Sequence, residues 1–209
     1  VSIEIMKNSW IEIKNHLITN DQMMPKLIKK YGKPSILNTH NVNLFEILVN
    51  SIISQQLSTK SANSIKNKFY KLLNTNQITY QSIANTNIVD IKSCGLSQIK
   101  SNTIKNISSI INDNPKFLTE LKEKSKSDVI KELTKIKGIG IWTAQMFMMS
   151  GLKNLDIFAP NDSGLMKGIR IVYFNNTKPK QTDVEQITSE WIPYRTIGSW
   201  YMWQVANNN

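Results

Sequence analysis

The stretch Leu133-Thr134-Lys135-Ile136-Lys137-Gly138-Ile139-Gly140-Ile141-Trp142-Thr143-Ala144 decides how this chain is read. A helical pattern near 127–135 precedes its glycines, and another apolar helical run follows them to about Ser150. Glycine reaches backbone conformations closed to other residues and leaves the main chain bare. Gly138 and Gly140 therefore allow a tight turn that a phosphate can approach closely. The N–H groups opening the second helix, with the helix dipole behind them, suit an anion. An ordinary helical hairpin with a glycine turn is the competing reading; the flanking Leu133, Ile136, Thr143 and Ala144 favour the phosphate-binding form. Lys137, Gly138, Gly140 and Thr143 are assigned to phosphate.

Helical spacing extends in both directions. Ile3, Met6, Trp10, Ile13 and Leu17 form one apolar stripe, and Asp21 can cap a second, short helix that stops at Gly32 before Pro34. Asn43 and Glu46 resemble a capping box ahead of Phe45, Leu48, Ile52 and Ile53. Ser58 can cap the next helix, with Ala62, Ile65, Phe69 and Leu72 on one face. Further helices fit 79–84, 87–93 and 97–111, with Gly95 ending the middle one. A short helix starts around Asp162, Thr182 and Glu185 read as a second capping box, and Trp191 to Val205 contains the final helix. Ile171–Phe174 is the nearest thing to a strand. The expected fold class is all-α.

Composition narrows the function. The 209 residues carry 26 basic and 15 acidic side chains, a formal charge of +11. Only Arg170 and Arg195 are arginine. From Ile47 to Asn112 the sole acid is Asp90, against Lys60, Lys66, Lys68, Lys71, Lys92, Lys100 and Lys105. Such a surplus suggests a polyanionic partner, although solvated helix faces in a lysine-rich proteome would read the same way. Cys94 is the only cysteine, and His16 and His40 are the only histidines. That excludes an internal disulfide, a cysteine-rich zinc site and an iron–sulfur cluster held by four cysteines. No apolar run approaches the roughly 18 residues of a membrane span, and the first residues show no signal-peptide pattern. A soluble intracellular protein facing DNA or RNA is expected, without a membrane partner.

About 20 residues past the hairpin comes Asp156-Ile157-Phe158-Ala159-Pro160-Asn161-Asp162-Ser163-Gly164-Leu165. Across residues 133–182, Asp156 and Asp162 are the only carboxylates. An acid after Pro-Asn and before a helix is ordinarily an N-cap, worth about 1 kcal/mol. Beside a phosphate-binding hairpin in a lysine-rich chain, a catalytic carboxylate is the sharper reading of Asp162.

With these segments in view, the chain resembles a helix–hairpin–helix DNA glycosylase of the alkylated-base (3-methyladenine DNA glycosylase II) class. Four segments carry the resemblance: Ile52-Ile53-Ser54-Gln55-Gln56-Leu57-Ser58-Thr59-Lys60, the Cys94-Gly95-Leu96-Ser97 junction, the hairpin with its following Asp162, and a tail. The tail, Trp191-Ile192-Pro193-Tyr194-Arg195 through Trp200-Tyr201-Met202-Trp203, is similar to the family's Trp-x-Pro-Trp/Tyr-Arg-Ser. The likeness spans about residues 40–206, and the N-terminal sheet domain of some members is absent from it. It implies two helical subdomains flanking a cleft, one over 43–150 and the other over 1–42 plus 151–209. Two departures stand out: Ser163 where the family commonly has Leu or a bulkier residue, and Ala159 between Phe158 and Pro160.

The resemblance also implies roles. Asp162 would stay ionised and stabilise an oxocarbenium-like sugar. Gln56 or Leu57 would wedge into the gap left by an extruded nucleotide, or else simply end a helix. Trp142 and Trp203, with Tyr201 and Phe45 behind them, would form the base pocket, stacking on a cationic, electron-poor base. Trp191 and Trp200 read as core, and Arg195 as a tie to a carboxylate or helix end. Relatives that also cut the strand have a lysine where Trp142 stands, so a monofunctional enzyme in base excision repair is expected, acting as a monomer on duplex DNA containing alkylated bases. No cofactor is expected, and no metal held by side chains; a monovalent cation at the hairpin backbone is implied by the family only. The alternatives are a non-catalytic hairpin module and a monofunctional glycosylase for a deaminated base.

Overall fold

The computed structural model of the protein describes residues 9–38 and 43–208. In chain order its helices are α1 (Trp10–Asn20), α2 (Met24–Tyr31), α3 (Leu44–Ser54), α4 (Thr59–Leu73), α5 (Tyr80–Ala84), α6 (Ile88–Ser93) and α7 (Gln98–Asp113). They continue as α8 (Phe117–Glu120), α9 (Lys126–Thr134), α10 (Ile141–Ser150), α11 (Ser163–Tyr173), α12 (Gln181–Ser189) and α13 (Arg195–Asn207). No strand occurs among the described residues, and the fold is all-α. None of these helices is long and apolar enough to cross a membrane. Ile3, Met6 and His40 lie outside the described residues.

The helix starts follow from short polar side chains. Ser9, Asn43, Ser58, Thr79, Asn87, Ser97, Ser125 and Asp162 each accept a hydrogen bond from an N–H of the first turn they precede. Two expectations fail. Thr182 and Glu185 form no capping box, because α12 opens two residues earlier than a Thr182 cap would allow. That leaves Lys180 at the capping position, and Glu185 accepts from the Gln181 amide at 2.7 Å. Ile171–Phe174, the strand candidate, instead forms the last turn and C-cap of α11, whose Leu165, Gly168 and Ile169 are buried on one face. Packing of that face outweighs the β preference of Ile171 and Val172.

The chain divides into two compact units, His40–Leu152 and a second made of Val1–Thr39 with Lys153–Asn209. Within the first, α3 is apolar nearly all round and buries Leu44, Phe45, Leu48, Val49, Ile52 and Ile53. Helices α4, α7, α8 and α10 cover it. The ammonium of Lys105 donates to the carbonyls of Ile83, Ala84 and Thr86 at 2.9–3.1 Å, closing the end of α5.

In the discontinuous unit, α11 and α13 approach so closely that a Cβ on Gly168 would lie 2.1 Å from the Met202 carbonyl oxygen. Only glycine fits there. Asp21 was expected to cap α2, and its Oδ1 does accept from the N–H groups of Met23 and Met24, at 2.7 and 3.3 Å. Its Oδ2 accepts from the Tyr173 hydroxyl at 2.6 Å and the Trp191 indole N–H at 2.7 Å. One buried carboxylate thus ties the first helices to the last. Burial first, and then the Asp21 charge, hold the Tyr173 phenol far above its ordinary range.

Leaving those four donors unmatched costs more than any surface change. Asp21→Ala should lose about 3 kcal/mol of unfolding free energy in urea titration, whereas Asp113→Ala, on an exposed helix end, should stay within about 0.5 kcal/mol of the parent.

Candidate nucleic-acid interface and active site

The hairpin forms as read, between α9 and α10. Gly138 has φ of +94°, the left-handed region that favours glycine, and a Cβ there would lie 1.9 Å from the Thr103 hydroxyl. That hydroxyl donates to the carbonyls of Ile99 (2.9 Å) and Lys137 (3.2 Å). Gly140 differs in kind. It is the N-cap of α10 with φ of −99°, and a Cβ there would meet nothing within 4 Å. Gly138 is demanded by the protein's own packing, while Gly140 leaves an open surface at a helix start. Lys137, Gly138 and Gly140 are all exposed.

Thr143 is corrected. It is buried, and its hydroxyl accepts from the Gln55 side-chain amide at 2.9 Å, so it braces the turn from inside instead of offering a hydroxyl to phosphate. The same Gln55 nitrogen donates to the Gly138 carbonyl at 2.9 Å. The carbonyls of Lys137 and Gly138 thus each accept from a protein side chain.

Gln55 ends α3 and leads into the turn that holds the expected wedge. Gln56 takes φ of +52° with an exposed side chain, and Leu57 is 39% exposed. The Lys100 ammonium donates to the carbonyls of Ile53 (2.9 Å) and Gln55 (2.7 Å), and burial pulls its pKa below the usual lysine range. Lys100 and Lys105 are therefore committed to helix ends. Of the seven lysines in the basic stretch, Lys60, Lys68, Lys71 and Lys92 are exposed.

In the discontinuous unit, Asp162 is half-buried at the start of α11. Its Oδ1 accepts from the Leu165 N–H at 2.6 Å and from the Trp203 indole N–H at 2.8 Å. Gly164 lies against this pair: its Cβ position is 3.4 Å from both Asp162 Oδ1 and Trp203 Cδ1, an ordinary contact distance. The carboxylate is thus a cap and is also fixed by a second donor from α13, a bond that spacing did not reveal. Asp156, the other acid of this region, is bound by Arg195 through two bonds of 2.6 and 2.8 Å, as expected for Arg195. That hydrogen bonding, above all, raises the pKa of the guanidinium.

The aromatic candidates separate. Trp142, in the first turn of α10, and Trp203 are half-buried. Tyr201 is wholly buried and donates its hydroxyl to the Gly32 carbonyl at 2.8 Å, so it belongs to the core and not to a base pocket. Phe45 is likewise buried, edge-on to Tyr80 at 6.3 Å between ring centres, and its pocket role is withdrawn for the same reason. Trp191 is fully buried, and Trp200 is half-buried, edge-on to Tyr201 at 5.1 Å. Of the two departures, Ala159 is buried and Ser163 is exposed at the first position of α11. Sequence reasoning missed Gln55, Lys100 and Thr103. A buried polar residue on the apolar face of α7 was the available signal for Thr103.

Comparisons with known proteins agree with this geometry. The profile of the HhH-GPD superfamily base excision DNA repair protein matches residues 49–194. The chain is 33% identical over 196 residues, 92% of its own length and 92% of the relative's, to the alkylbase DNA glycosidase-like protein mag2 of Schizosaccharomyces pombe. Among solved structures, the 3-methyladenine DNA glycosylase of the same yeast, in complex with abasic DNA, matches with a TM-score of 0.77 at 26% identity, covering 92% of this chain and 95% of that one. The DNA-3-methyladenine glycosidase from Bacillus halodurans matches with a TM-score of 0.71 at 30% identity, covering 91% and 87%. The chain belongs to the HhH-GPD superfamily of base excision DNA repair proteins.

Proposed function

We propose that the protein is a monofunctional DNA glycosylase that removes alkylated, positively charged purines such as 3-methyladenine from duplex DNA. The observation that carries this reading is the Asp162 carboxylate, half-buried and held by both a helix N–H and the Trp203 indole. The relatives named for 3-methyladenine and alkylbase excision supply the substrate class. Such work places the protein on DNA inside the cell.

The chemistry needs little from the protein. Inside the stack the C1′–N bond is unreachable, so the nucleotide is extruded while Gln56 or Leu57 fills the gap. The turn at Lys137, Gly138 and Gly140 holds a backbone phosphate on exposed N–H groups. An N3- or N7-alkylated purine already bears positive charge; as the glycosidic bond breaks, its electron pair leaves with the base, which departs neutral. Positive charge passes to the sugar, where ionised Asp162 stabilises it. A water oxygen then bonds to C1′, and its proton passes through Asp162 to solvent. A half-buried Trp203 beside the carboxylate offers an aromatic face to the cationic base, and Trp142 is a second candidate by family position. With tryptophan at 142 no lysine amine attacks the sugar, so no strand cleavage follows.

The cap bond of Asp162 favours a second reading, a hairpin module that binds DNA without chemistry. Asp162→Asn separates the two, since Asn caps nearly as well but carries no charge. Base release from methylated duplex should fall about 100-fold or more while folding and DNA affinity persist. A folded variant with parental release would leave capping as the only role of Asp162.

Product strands should stay intact until alkali is added, and borohydride should trap no covalent complex. Covalent trapping in high yield would contradict the monofunctional assignment. The two glycines should also part company. Gly138→Ala, strained and pressed on Thr103, should lower stability. Gly140→Ala should fold normally yet weaken binding to damaged and undamaged duplex alike, measured by anisotropy across a salt series.

A further inference from the structure

Gln55 makes contacts that capping alone does not require. Its side-chain nitrogen donates to two acceptors in the hairpin, the Gly138 carbonyl and the Thr143 hydroxyl, both at 2.9 Å. Its own carbonyl accepts from Lys100 at 2.7 Å, and Lys100 also holds the Ile53 carbonyl at 2.9 Å. The residue is thus fixed through both main chain and side chain. Immediately after it the chain turns through Gln56 at φ of +52° and presents Leu57, 39% exposed, whose N–H returns to the Ser54 carbonyl at 3.3 Å. On the other side of the hairpin turn, Thr103 holds the Lys137 carbonyl at 3.2 Å. An exposed apolar tip and an exposed glycine turn, more than 80 residues apart in sequence, are therefore joined by one amide.

We propose that Gln55 is a positioning residue for base extrusion, bracing the Gln56–Leu57 turn against the hairpin turn. This rests on the glycosylase reading above. A wedge displaces a stacked nucleotide only if the opposing force is borne by something already attached to the same DNA. The hairpin turn is that attachment through its phosphate contact, and the Gln55 amide sets the distance between the attachment and the tip. Gln55 touches neither the sugar nor the base. Its contribution should therefore scale with the work of unstacking, which is largest for a fully paired nucleotide and small for one already loosened.

The experiment uses the full chain and a single 7-methylguanine in two duplexes, one paired with cytosine and one facing an abasic analogue. Single-turnover release is compared for the parent, Gln55→Ala and Gln55→Glu, the last of which places an acceptor against the Gly138 carbonyl. Release from the paired duplex should slow about ten-fold or more, as expected for two lost hydrogen bonds. Release from the unpaired site should change less than about three-fold, with affinity for undamaged duplex unaltered. Thr143→Val, nearly isosteric and lacking one of the two acceptors, should show a smaller effect with the same substrate pattern. Equal losses on both duplexes, or no loss on the paired one, would overturn the proposal. 2-Aminopurine next to the lesion reports unstacking directly and should brighten less with the variants. If the parent released no base from either duplex, the glycosylase reading would fail. The 2-aminopurine signal would still decide whether Gln55 braces the turn, parental brightening in the Gln55→Ala complex counting against it.

Discussion

Gly138 stands so close to the Thr103 hydroxyl that a side chain cannot pass between them. Much of the hairpin turn depends on that contact. It fixes a left-handed residue at the apex of the hairpin and lets Thr103 take the Lys137 carbonyl, while Gln55 takes the carbonyl of Gly138. Two of the turn's carbonyls are thus bonded within the protein. What remains on the outside is lysine, bare glycine backbone and the start of α10, a surface suited to an anion.

The contrast between Gly138 and Gly140 shows how far a motif can be read from letters alone. Both glycines announced a turn, yet one serves the packing of α7 and the other leaves space. Spacing cannot tell them apart, because the difference lies in Thr103, distant in sequence. The helices were legible for a local reason. Their N-caps are short-range bonds between a polar side chain and an N–H two or three residues on, and such bonds are written in adjacent letters. The exceptions arose where the start of the helix differed by two residues, at Thr182, or where tertiary packing prevailed, at Ile171–Phe174.

Candidate site chemistry was legible by type and less so by partner. Asp162 stood out because acids are scarce between residues 133 and 182, and the bond from Arg195 to Asp156 removed its only rival there. Trp203 was read as a flat surface for a base, but its N–H also orients the carboxylate, a role no periodicity encodes. Tyr201 and Phe45 enter the pocket only through the family resemblance; in the structure both side chains are buried. The lysine surplus needs similar care. Lys100 and Lys105 spend their charge on carbonyls at helix ends, so a count of basic residues overstates the field offered to a polyanion.

The Asp21 carboxylate carries a consequence for how the chain is made. Its partners are Tyr173 and Trp191, on segments synthesised long after α1 and α2 have left the ribosome. At ordinary translation speeds that interval is roughly ten to thirty seconds. During it the whole of His40–Leu152 emerges with its internal partners available, whereas the amphipathic N-terminal helices wait with a charge and an apolar stripe uncovered. Order of synthesis and order of completion are therefore reversed for α1 and α2: made before His40–Leu152, they are completed after it.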